Sequence, residues 1–310
     1  MSTRSGCADE PLRTRYVPTR ELDLRQTVGA LGQFGADPTS RRDGSGCWLT
    51  LRTSSGAATL HLRRVGAEVH AAAWGPGRER AIARVPGLCG ADDDDTDFDA
   101  GRHPLVKELH HRAPGLRLAR TSLVLAALLQ AVFFQKVTGM EASRSWSRLV
   151  RAHGETAPGP APAGMAVLPS TEAWRRIPSW EYHRAGVTPQ RRDTLARVLQ
   201  VAEGLERAAA DPPAGARRKL RTVPGVGVWT AAETVQRSHG DPDAVSFGDF
   251  HVAKTVGWAL TGRRVDDDGM RELLEPWRGH RQRVVRLITA AGISYERHGA
   301  KLTIPDHRAR

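Results

Sequence analysis

The chain has 310 residues, of which 40% are hydrophobic and 26% are charged, and this balance excludes a wholly disordered chain and predicts about two domains. Its net charge is +12, and arginine carries most of it because only five of the 46 basic residues are lysines. Such an excess predicts a polyanionic partner, most simply nucleic acid, although an arginine-rich codon usage would produce the same composition.

The sequence also predicts a cytoplasmic protein without a membrane span or a cysteine-based metal centre. The longest apolar run, residues 123–134, is too short to cross a bilayer, and the N-terminus lacks the apolar stretch of a secretory signal. No cysteine follows Cys89, so the C-terminal two thirds cannot supply the four cysteines of a zinc or iron–sulfur site.

The first third of the chain predicts a small mixed domain. Residues 1–20 are polar and rich in arginine and proline, which is typical of a flexible arm, and residues 21–31 predict a helix. Strand-like runs, separated by glycine- and serine-rich turns, are residues 47–53, 57–64 and 67–74. We therefore expect residues 21–103 to form a helix packed on an antiparallel sheet. The four aspartates at residues 92–95 predict a solvated loop rather than a metal cluster.

Residues 104–295 predict a helical core, which makes the fold class α+β. Apolar periodicity favours helices over residues 118–139, 143–153, 188–210, 216–223, 229–238, 250–260, 268–274 and 281–291. The proline- and glycine-rich stretch at 154–164 interrupts this series without ending the domain. Residues 296–310 are expected to form a C-terminal tail.

The segment LRTVPGVGVWTA, residues 220–231, predicts a phosphate-binding hairpin between two helices. Gly225 and Gly227 allow the backbone to approach an anion without a Cβ in the way. Their amides, and the N-terminus of the following helix, point toward that anion. Lys219 and Arg221 flank the turn. A plain corner between helices needs one glycine only, so the second glycine favours the phosphate interpretation.

An aspartate in the segment SFGDFHVAK is the candidate catalytic group. Asp249 follows Trp229 by twenty residues and stands just before a predicted helix. An isolated aspartate at that position is usually an N-cap. Here it lies at a fixed distance from a predicted phosphate-binding hairpin, so its carboxylate is placed to act near a sugar of the bound strand.

The hairpin and Asp249 together resemble the helix-hairpin-helix DNA glycosylases, and in particular their alkylpurine branch, the DNA-3-methyladenine glycosylase II group. The segment AVFFQKVT, residues 131–138, resembles the helix of that branch that carries a DNA-intercalating side chain after a glutamine. The tripeptide PWR at 276–278 resembles a late element of the branch. The N-terminal part resembles its TATA-binding-protein-like domain, so the resemblance covers roughly residues 31–292.

The resemblance implies a monofunctional enzyme that starts base-excision repair. Such an enzyme flips an alkylated purine, such as 3-methyladenine or 7-methylguanine, out of duplex DNA and hydrolyses its N-glycosidic bond. Because the alkylated base is cationic, it leaves without a general acid. The carboxylate of Asp249 then needs only to stabilise the oxocarbenium-like sugar and to orient or deprotonate water.

The resemblance also implies roles for other residues. The base pocket would be formed by Trp229, Trp277 and Phe133, because a cationic base stacks well on aromatic rings. Contacts with DNA would come from Gln135, Lys136, Lys219, Arg221, Gly225, Gly227 and Arg278. The main-chain carbonyls of Arg221, Val223 and Val226 would hold a sodium or potassium ion, and no other cofactor is expected.

The chain departs from the family pattern in two places that change the expected chemistry. Trp229 occupies the position of the lysine that forms a Schiff base in bifunctional relatives, so strand cleavage by an AP-lyase step is not expected. The intercalating position, usually apolar, is Lys136, so Phe134 or Gln135 are alternatives for the side chain that fills the gap.

Two alternatives stay open from the sequence. A non-catalytic DNA-binding protein could use the hairpin only as a backbone clamp, although it would not need Asp249. A glycosylase dedicated to bulky genotoxin adducts would have the same motifs. In each case the expected partner is double-stranded DNA, bound by a monomer in the cytoplasm at the nucleoid, with no membrane.

Overall fold

The computed structural model describes residues 10–32 and 37–295 and builds its N-terminal part on a five-stranded antiparallel sheet. The strand order is β1-β5-β4-β3-β2. The strands are β1 (Leu12–Tyr16), β2 (Ser40–Asp43), β3 (Gly46–Thr53), β4 (Gly56–Val65) and β5 (Glu68–Trp74). The three strands predicted from the sequence are β3, β4 and β5, each with bounds close to those expected.

The rest of the described chain is mainly helical, so the α+β fold class is confirmed. The α-helices are α1 (Leu24–Thr27), α2 (Arg78–Ala83), α3 (Val85–Leu88), α4 (Pro104–Arg112), α5 (Val124–Phe133), α6 (Gly139–His153), α7 (Thr171–Arg176), α8 (Ser179–Arg184), α9 (Pro189–Gln200), α10 (Ala202–Glu206), α11 (Pro213–Leu220), α12 (Val228–Ser238), α13 (Val252–Thr261), α14 (Asp267–Leu274) and α15 (Arg281–Ala290). The single helix expected over 188–210 is divided into α9, α10 and a 3-10 turn, Arg207–Ala210.

Part of the flexible arm expected over residues 1–20 is a strand. Leu12–Tyr16 forms β1, which pairs with β5 in the register Leu12↔Ala73 to Tyr16↔Val69. An edge strand is held by backbone hydrogen bonds along one side, and in β1 only Thr14 and Tyr16 are half-buried. The segment therefore carries little of the apolar alternation by which a strand is recognised. Residues 1–9 of the arm and the tail at 296–310 lie outside the described residues.

Different parts of the chain cover the two faces of the sheet. On the inner face, Leu60 and Val69 are buried with residues of α1, α2 and α3. On the outer face, Trp48 and Trp74 stack with their ring centroids 5.8 Å apart and pack against the proline- and glycine-rich segment. That segment contains strand β6 (Glu155–Thr156), which pairs with β7 (Ala166–Val167) just beyond the segment. The stretch that the sequence predicts to be only an interruption therefore covers part of the outer face of the sheet.

The apolar helix expected over residues 118–139 is shorter in the structure and ends where the site begins. It spans α5 alone, preceded by Ser122 in a left-handed conformation with φ of 52°. At its N-terminus, the backbone N–H of Leu125 donates to the carboxylate of Glu206 at 2.7 Å, and burial raises the pKa of this carboxyl. Beyond its C-terminus, Thr138 and Glu141 form a capping box that starts α6. Residues 134–137 are therefore confined to a tight connection between two helices.

Helix α5 lies at the centre of the helical core. Its residues Leu128 and Val132 have no exposed surface and belong to a cluster with Trp146 of α6, Leu195 of α9 and Val235 of α12. Helices α4, α13, α14 and α15 share a second cluster that includes Val106, Val256, Met270 and Ile288. The turn between α11 and α12 joins the first cluster through Val223 and Val226.

The run of four aspartates lies in a loop, as the sequence predicted, but the loop is only partly solvated, since Asp92 and Asp94 are exposed and Asp93 is not. Asp93 is buried and forms an ion pair with Arg283 of α15, in which the guanidinium donates at 2.6 and 3.1 Å. Asp95 pairs with Arg117 at 2.8 Å and also with Arg20. The sequence hides this role, because the arginines that neutralise the run lie far from it along the chain. The run links the segment before α1, the connection before α5 and the last described helix.

We expect Asp93→Asn to lower the free energy of unfolding by about 3–5 kcal/mol, because it leaves the buried Arg283 without its charge partner. Asp268→Asn is the matched control, since Asp268 is exposed and its nearest arginine nitrogen, on Arg271, is 3.5 Å away. That change should cost less than about 1 kcal/mol. Urea unfolding monitored by circular dichroism measures both, and equal midpoints for the two variants would show that the aspartate run is not a structural link.

Candidate active site

The turn between α11 and α12 has the two-glycine geometry expected, but the two glycines have different functions. Gly225 has a φ of 95°, and a Cβ there would lie 2.3 Å from the hydroxyl oxygen of Thr194. Gly227 precedes α12 with φ of −89°, and a Cβ there would meet nothing within 4 Å. The fold thus requires the first glycine, whereas nothing within the described protein requires the second.

The N-terminus of α12 opens beside Gly227. The first amides of a helix have no acceptor within the helix, and together with the helix dipole they attract anions. The turn itself is closed by the N–H of Val226, which donates to the carbonyl of Val223 at 3.0 Å. Arg221 is exposed at the end of α11, and Lys219 forms a long ion pair of 3.5 Å with Asp211. The hairpin therefore combines backbone donors at the start of α12 with two basic residues at the end of α11.

Asp249 connects this hairpin to the next helix. Its Oδ1 accepts hydrogen bonds from the backbone N–H groups of His251 at 2.8 Å and Val252 at 3.0 Å, so it holds the start of α13, although the N-cap residue itself is His251 and not Asp249 as considered from the sequence. Its Oδ2 accepts a hydrogen bond from the indole Nε1 of Trp229 at 3.1 Å. The carboxylate is half-buried, and both of its oxygens are oriented. Within the described part of the chain, none of its hydrogen bonds comes from a lysine.

The connection after α5 is joined to the hairpin by one side-chain amide. The Nε2 of Gln135 donates to the carbonyl of Gly225 at 2.9 Å and to the hydroxyl of Thr230 at 2.8 Å. Lys136 follows in a left-handed conformation, with φ of 52° and an exposed side chain. Gln135 therefore ties the predicted intercalating segment to the turn and to the residue next to Trp229.

The structure does not bring two of the three predicted pocket aromatics to the site. Phe133 has no exposed surface and packs against the rings of Trp146 and Trp174, with centroids 5.3 and 5.9 Å apart. Trp277 is also buried, and its indole donates to the carbonyl of Asp99 at 2.9 Å. In this conformation neither ring offers a face to a base. Both are core residues because apolar packing around them is complete, which a pattern of aromatic residues does not reveal.

Arg278, a predicted DNA contact, forms an ion pair within the protein. Its guanidinium donates to the carboxylate of Glu275, three residues earlier, with one distance of 2.7 Å. The side chain is exposed, so this pair is weak and can exchange for a phosphate.

Sequence reasoning missed an exposed aromatic next to the catalytic candidate. Phe250 is 72% exposed although it is a large apolar residue, and the ammonium of Lys254 lies 3.6 Å from the centre of its ring. Tyr295 also reaches this region, since its hydroxyl lies 2.7 Å from the Nδ1 of His251. The only sequence signal for Phe250 is its position directly after Asp249, because an apolar residue before a helix usually belongs to the core.

No metal or membrane feature is found in the parts of the chain that the structure describes. Residues 10–32 and 37–295 contain no group of three or more His, Cys, Asp or Glu side chains placed to hold a metal ion. No described helix combines the length and the apolar character that crossing a membrane requires.

Comparison with solved structures identifies the fold. The 3-methyladenine DNA glycosylase from Archaeoglobus fulgidus superposes with a TM-score of 0.74, covering 89% of this chain and 97% of that one at 14% sequence identity. The 8-oxoguanine glycosylase/lyase from Clostridium acetobutylicum superposes with a TM-score of 0.68, covering 91% and 98% at 13% identity. The chain has the fold of the DNA glycosylases, as the sequence predicted.

Comparison with curated sequences indicates the same group of proteins. The chain is a homologue of the probable bifunctional transcriptional activator/DNA repair enzyme AlkA of Mycobacterium tuberculosis, with 31% identity over 184 residues. The match covers 58% of this chain but only 36% of that relative. No family model matches the chain. The resemblance to the alkylpurine glycosylases is confirmed at the level of homology and fold.

Proposed function

We propose that the protein is a monofunctional DNA glycosylase that excises alkylated purines, of the 3-methyladenine and 7-methylguanine type, from duplex DNA. One observation carries the proposal: the carboxylate of Asp249 is held 3.1 Å from the indole nitrogen of Trp229, on the helix that begins at the two-glycine hairpin. A protein that only clamped DNA would need the hairpin but not this oriented acid. The homology with a DNA repair enzyme and the shared fold support the same assignment.

The hairpin would hold the damaged strand. Phosphate oxygens would accept hydrogen bonds from the backbone amides at Gly227 and the start of α12, where the open space around Gly227 admits them. Arg221 and Lys219 would add charge-assisted contacts on the same strand, and Arg278 would join them by exchanging Glu275 for a phosphate. These contacts position the protein and carry no information on the lesion.

The bond would break with little demand for acid catalysis. An alkylated purine carries a positive charge, so it departs as a neutral base and leaves charge on the sugar. Asp249 would stabilise that oxocarbenium-like sugar and orient the attacking water, because its oxygens are already fixed by three hydrogen bonds. Trp229, half-buried beside it, is placed to stack on the flipped base. Phe250 would supply a second aromatic surface at the same opening.

Lys136 would fill the space that the flipped base leaves. It is exposed at the end of the connection after α5, and Gln135 fixes that connection to the hairpin. Because Gln135 already uses its amide on Gly225 and Thr230, it is the less suitable of the alternatives.

We extend the proposal to the absence of AP-lyase activity and to the hairpin ion. The Clostridium acetobutylicum protein of this fold is named a glycosylase/lyase, so the fold is compatible with strand cleavage, and the proposal depends on Trp229 standing where an amine would be needed. A sodium or potassium ion would be held by the carbonyls of Arg221, Val223 and Val226. The Val223 carbonyl accepts one hydrogen bond in the turn and retains a second lone pair for such an ion.

The protein would work as a single copy on DNA in the cytoplasm. Its partner would be double-stranded DNA, which places it at the nucleoid in the cytoplasm, and a single copy would suffice because every proposed contact comes from one chain. The domain limits of 21–103 and 104–295 stay a prediction.

Asp249→Asn should lower excision of 3-methyladenine by about two orders of magnitude or more, because it removes the charge that stabilises the sugar. The amide oxygen of asparagine can accept the same two hydrogen bonds from the N–H groups of His251 and Val252, so α13 and DNA binding should be preserved. Release of base from methylated duplex DNA, with binding followed by fluorescence anisotropy, checks both. Excision at the wild-type rate by this variant would overturn the assignment of Asp249.

Borohydride should trap no covalent complex between the wild-type protein and an abasic or alkylated duplex, since Trp229 cannot form a Schiff base. Abasic sites should accumulate in intact strands until alkali is added. Trp229→Lys serves as the matched variant, because it restores an amine beside Asp249 and should give a trapped adduct. Efficient trapping by the wild-type protein would show that another amine performs strand cleavage.

Gly227→Ala should weaken binding to damaged and undamaged duplexes by a similar factor, because the added methyl group meets no protein atom but obstructs a phosphate. Its thermal midpoint should stay near that of the wild type. Gly225→Ala is the control with the opposite behaviour, since its Cβ would collide with Thr194 and destabilise the fold. Unchanged DNA affinity in Gly227→Ala would mean that the hairpin is only a structural corner.

A further inference from the structure

The outer face of the five-stranded sheet has a covered half and an open half. Trp48, Ala72 and Trp74 are buried beneath Ala157 of the proline- and glycine-rich segment and Met165, the residue that follows it. The rest of this face carries four exposed arginines, Arg13, Arg15, Arg41 and Arg63.

The strand register places these four arginines on one face. In one row, Arg13 pairs with Ala72, Ala72 with His61, His61 with Trp48 and Trp48 with Arg41. In the adjacent row, Arg15 and Arg63 are both partners of His70. Residues directly opposite each other in antiparallel strands project from the same face, so the four arginines lie beside the covered Trp48 and not on the inner core. We refer to Arg13, Arg15, Arg41 and Arg63 as the arginine face.

The four side chains of the arginine face have no charge partner among the described residues. Within the described residues, none of its four side chains makes a hydrogen bond or an ion pair. Arg52, which projects from the same face, is by contrast bound to Glu155 and to the carbonyl of Leu168. The acids on this face, Glu68 and Asp43, bind His70 and Ser45 and not these arginines, and the four arginines outnumber the two acids. Burial lowers the pKa of His61, so this ring adds no charge near neutral pH.

The spacing of the arginine face suits an extended polyanion. Residues two apart on a strand are about 7 Å apart, and strands are about 5 Å apart, so Arg13 and Arg15 are separated by about 7 Å and Arg15 and Arg63 by about 10 Å. The guanidiniums stand exposed on a pleated surface and do not converge in a cavity, as they would for one small anion. A duplex backbone offers phosphates in repeated rows and is bound by such exposed arginines without regard to sequence.

We propose that the arginine face is a second, sequence-independent binding surface for duplex DNA, distinct from the hairpin between α11 and α12. The proposal rests on DNA being the partner, as argued above, but it does not depend on the excision chemistry. The hairpin would hold the strand that carries the lesion, and the arginine face would hold backbone elsewhere on the same duplex. Its contribution would be affinity for DNA as such, which assists the search for a lesion.

The test replaces all four residues at once, as Arg13→Gln, Arg15→Gln, Arg41→Gln and Arg63→Gln. The control removes the same charge from four exposed arginines of the helical part and the turn before it, as Arg102→Gln, Arg112→Gln, Arg176→Gln and Arg207→Gln. Affinity for a 40-base-pair undamaged duplex is measured as a function of salt, and excision from methylated DNA is measured in single turnover at saturating enzyme.

We expect the slope of log affinity against log salt to fall by about three to four units in the arginine-face variant, and by clearly less in the control, because each lost phosphate contact removes about 0.9 of a counterion. The saturated excision rate should stay within about twofold of the wild type. A slope equal to that of the control would overturn the proposal. So would DNA binding that is unchanged while binding to vesicles containing anionic phosphatidylglycerol is lost, since the face would then be a membrane surface. A wild-type protein that excises no base, with the slope difference intact, would reject the glycosylase assignment and leave the second DNA surface in place.

Discussion

The carboxylate of Asp249 is the point at which the candidate site is held together. One oxygen accepts hydrogen bonds from the backbone N–H groups of His251 and Val252 at the start of α13. The other accepts a hydrogen bond from the indole N–H of Trp229 on α12. Two helices that are separated by a long connection are therefore fixed to each other through a single charged group. The hydrogen bonds that hold the start of α13 also fix the orientation of the carboxylate. An acid in a flexible loop would not be oriented in this way. The oxygen that holds the start of α13 is not the oxygen that receives the indole, so the proposed chemistry would not disturb the start of that helix.

A second constraint reaches the site from α5. The amide of Gln135 binds the hairpin carbonyl of Gly225 and the hydroxyl of Thr230. The carbonyl of Phe133, at the end of the same helix, accepts a hydrogen bond at 2.8 Å from the buried guanidinium of Arg191. The position of Lys136 is thus set by the core and by the turn together. The segment that would enter DNA and the turn that would hold its phosphates are joined by these hydrogen bonds, so a strand bound by the turn would meet Lys136 at a set distance.

The sequence predicted those features that depend on local residue chemistry. Two glycines with one residue between them, followed by a helix, are sufficient to predict the hairpin, and Asp249 was placed before its helix because short polar residues cap helices. The three central strands followed from alternation and turns. The structure differs from the sequence expectations where the outcome depends on partners distant in the chain. Phe133 and Trp277 could have lined a pocket or a core, and only the packing of Trp146, Trp174 and Asp99 around them decides the matter. The edge strand β1 and the aspartate run were missed for the same reason, since their partners lie elsewhere.

The ion pair between Asp93 and Arg283 has a consequence for the order in which the chain can fold. Its two residues are 190 positions apart, and the guanidinium of Arg286 similarly reaches the carbonyl of Gln26. During synthesis from the N-terminus, the sheet and α2 emerge long before α15. Asp93 therefore has no ion pair with Arg283 until α15 has been made. Burying an unpaired carboxylate in an apolar interior is unfavourable, so the segment around Asp93 would stay hydrated until α15 packs against it. Helix α15 therefore completes the surroundings of Asp93, and a chain interrupted before residue 283 would be left with an open seam that quality-control proteases can enter.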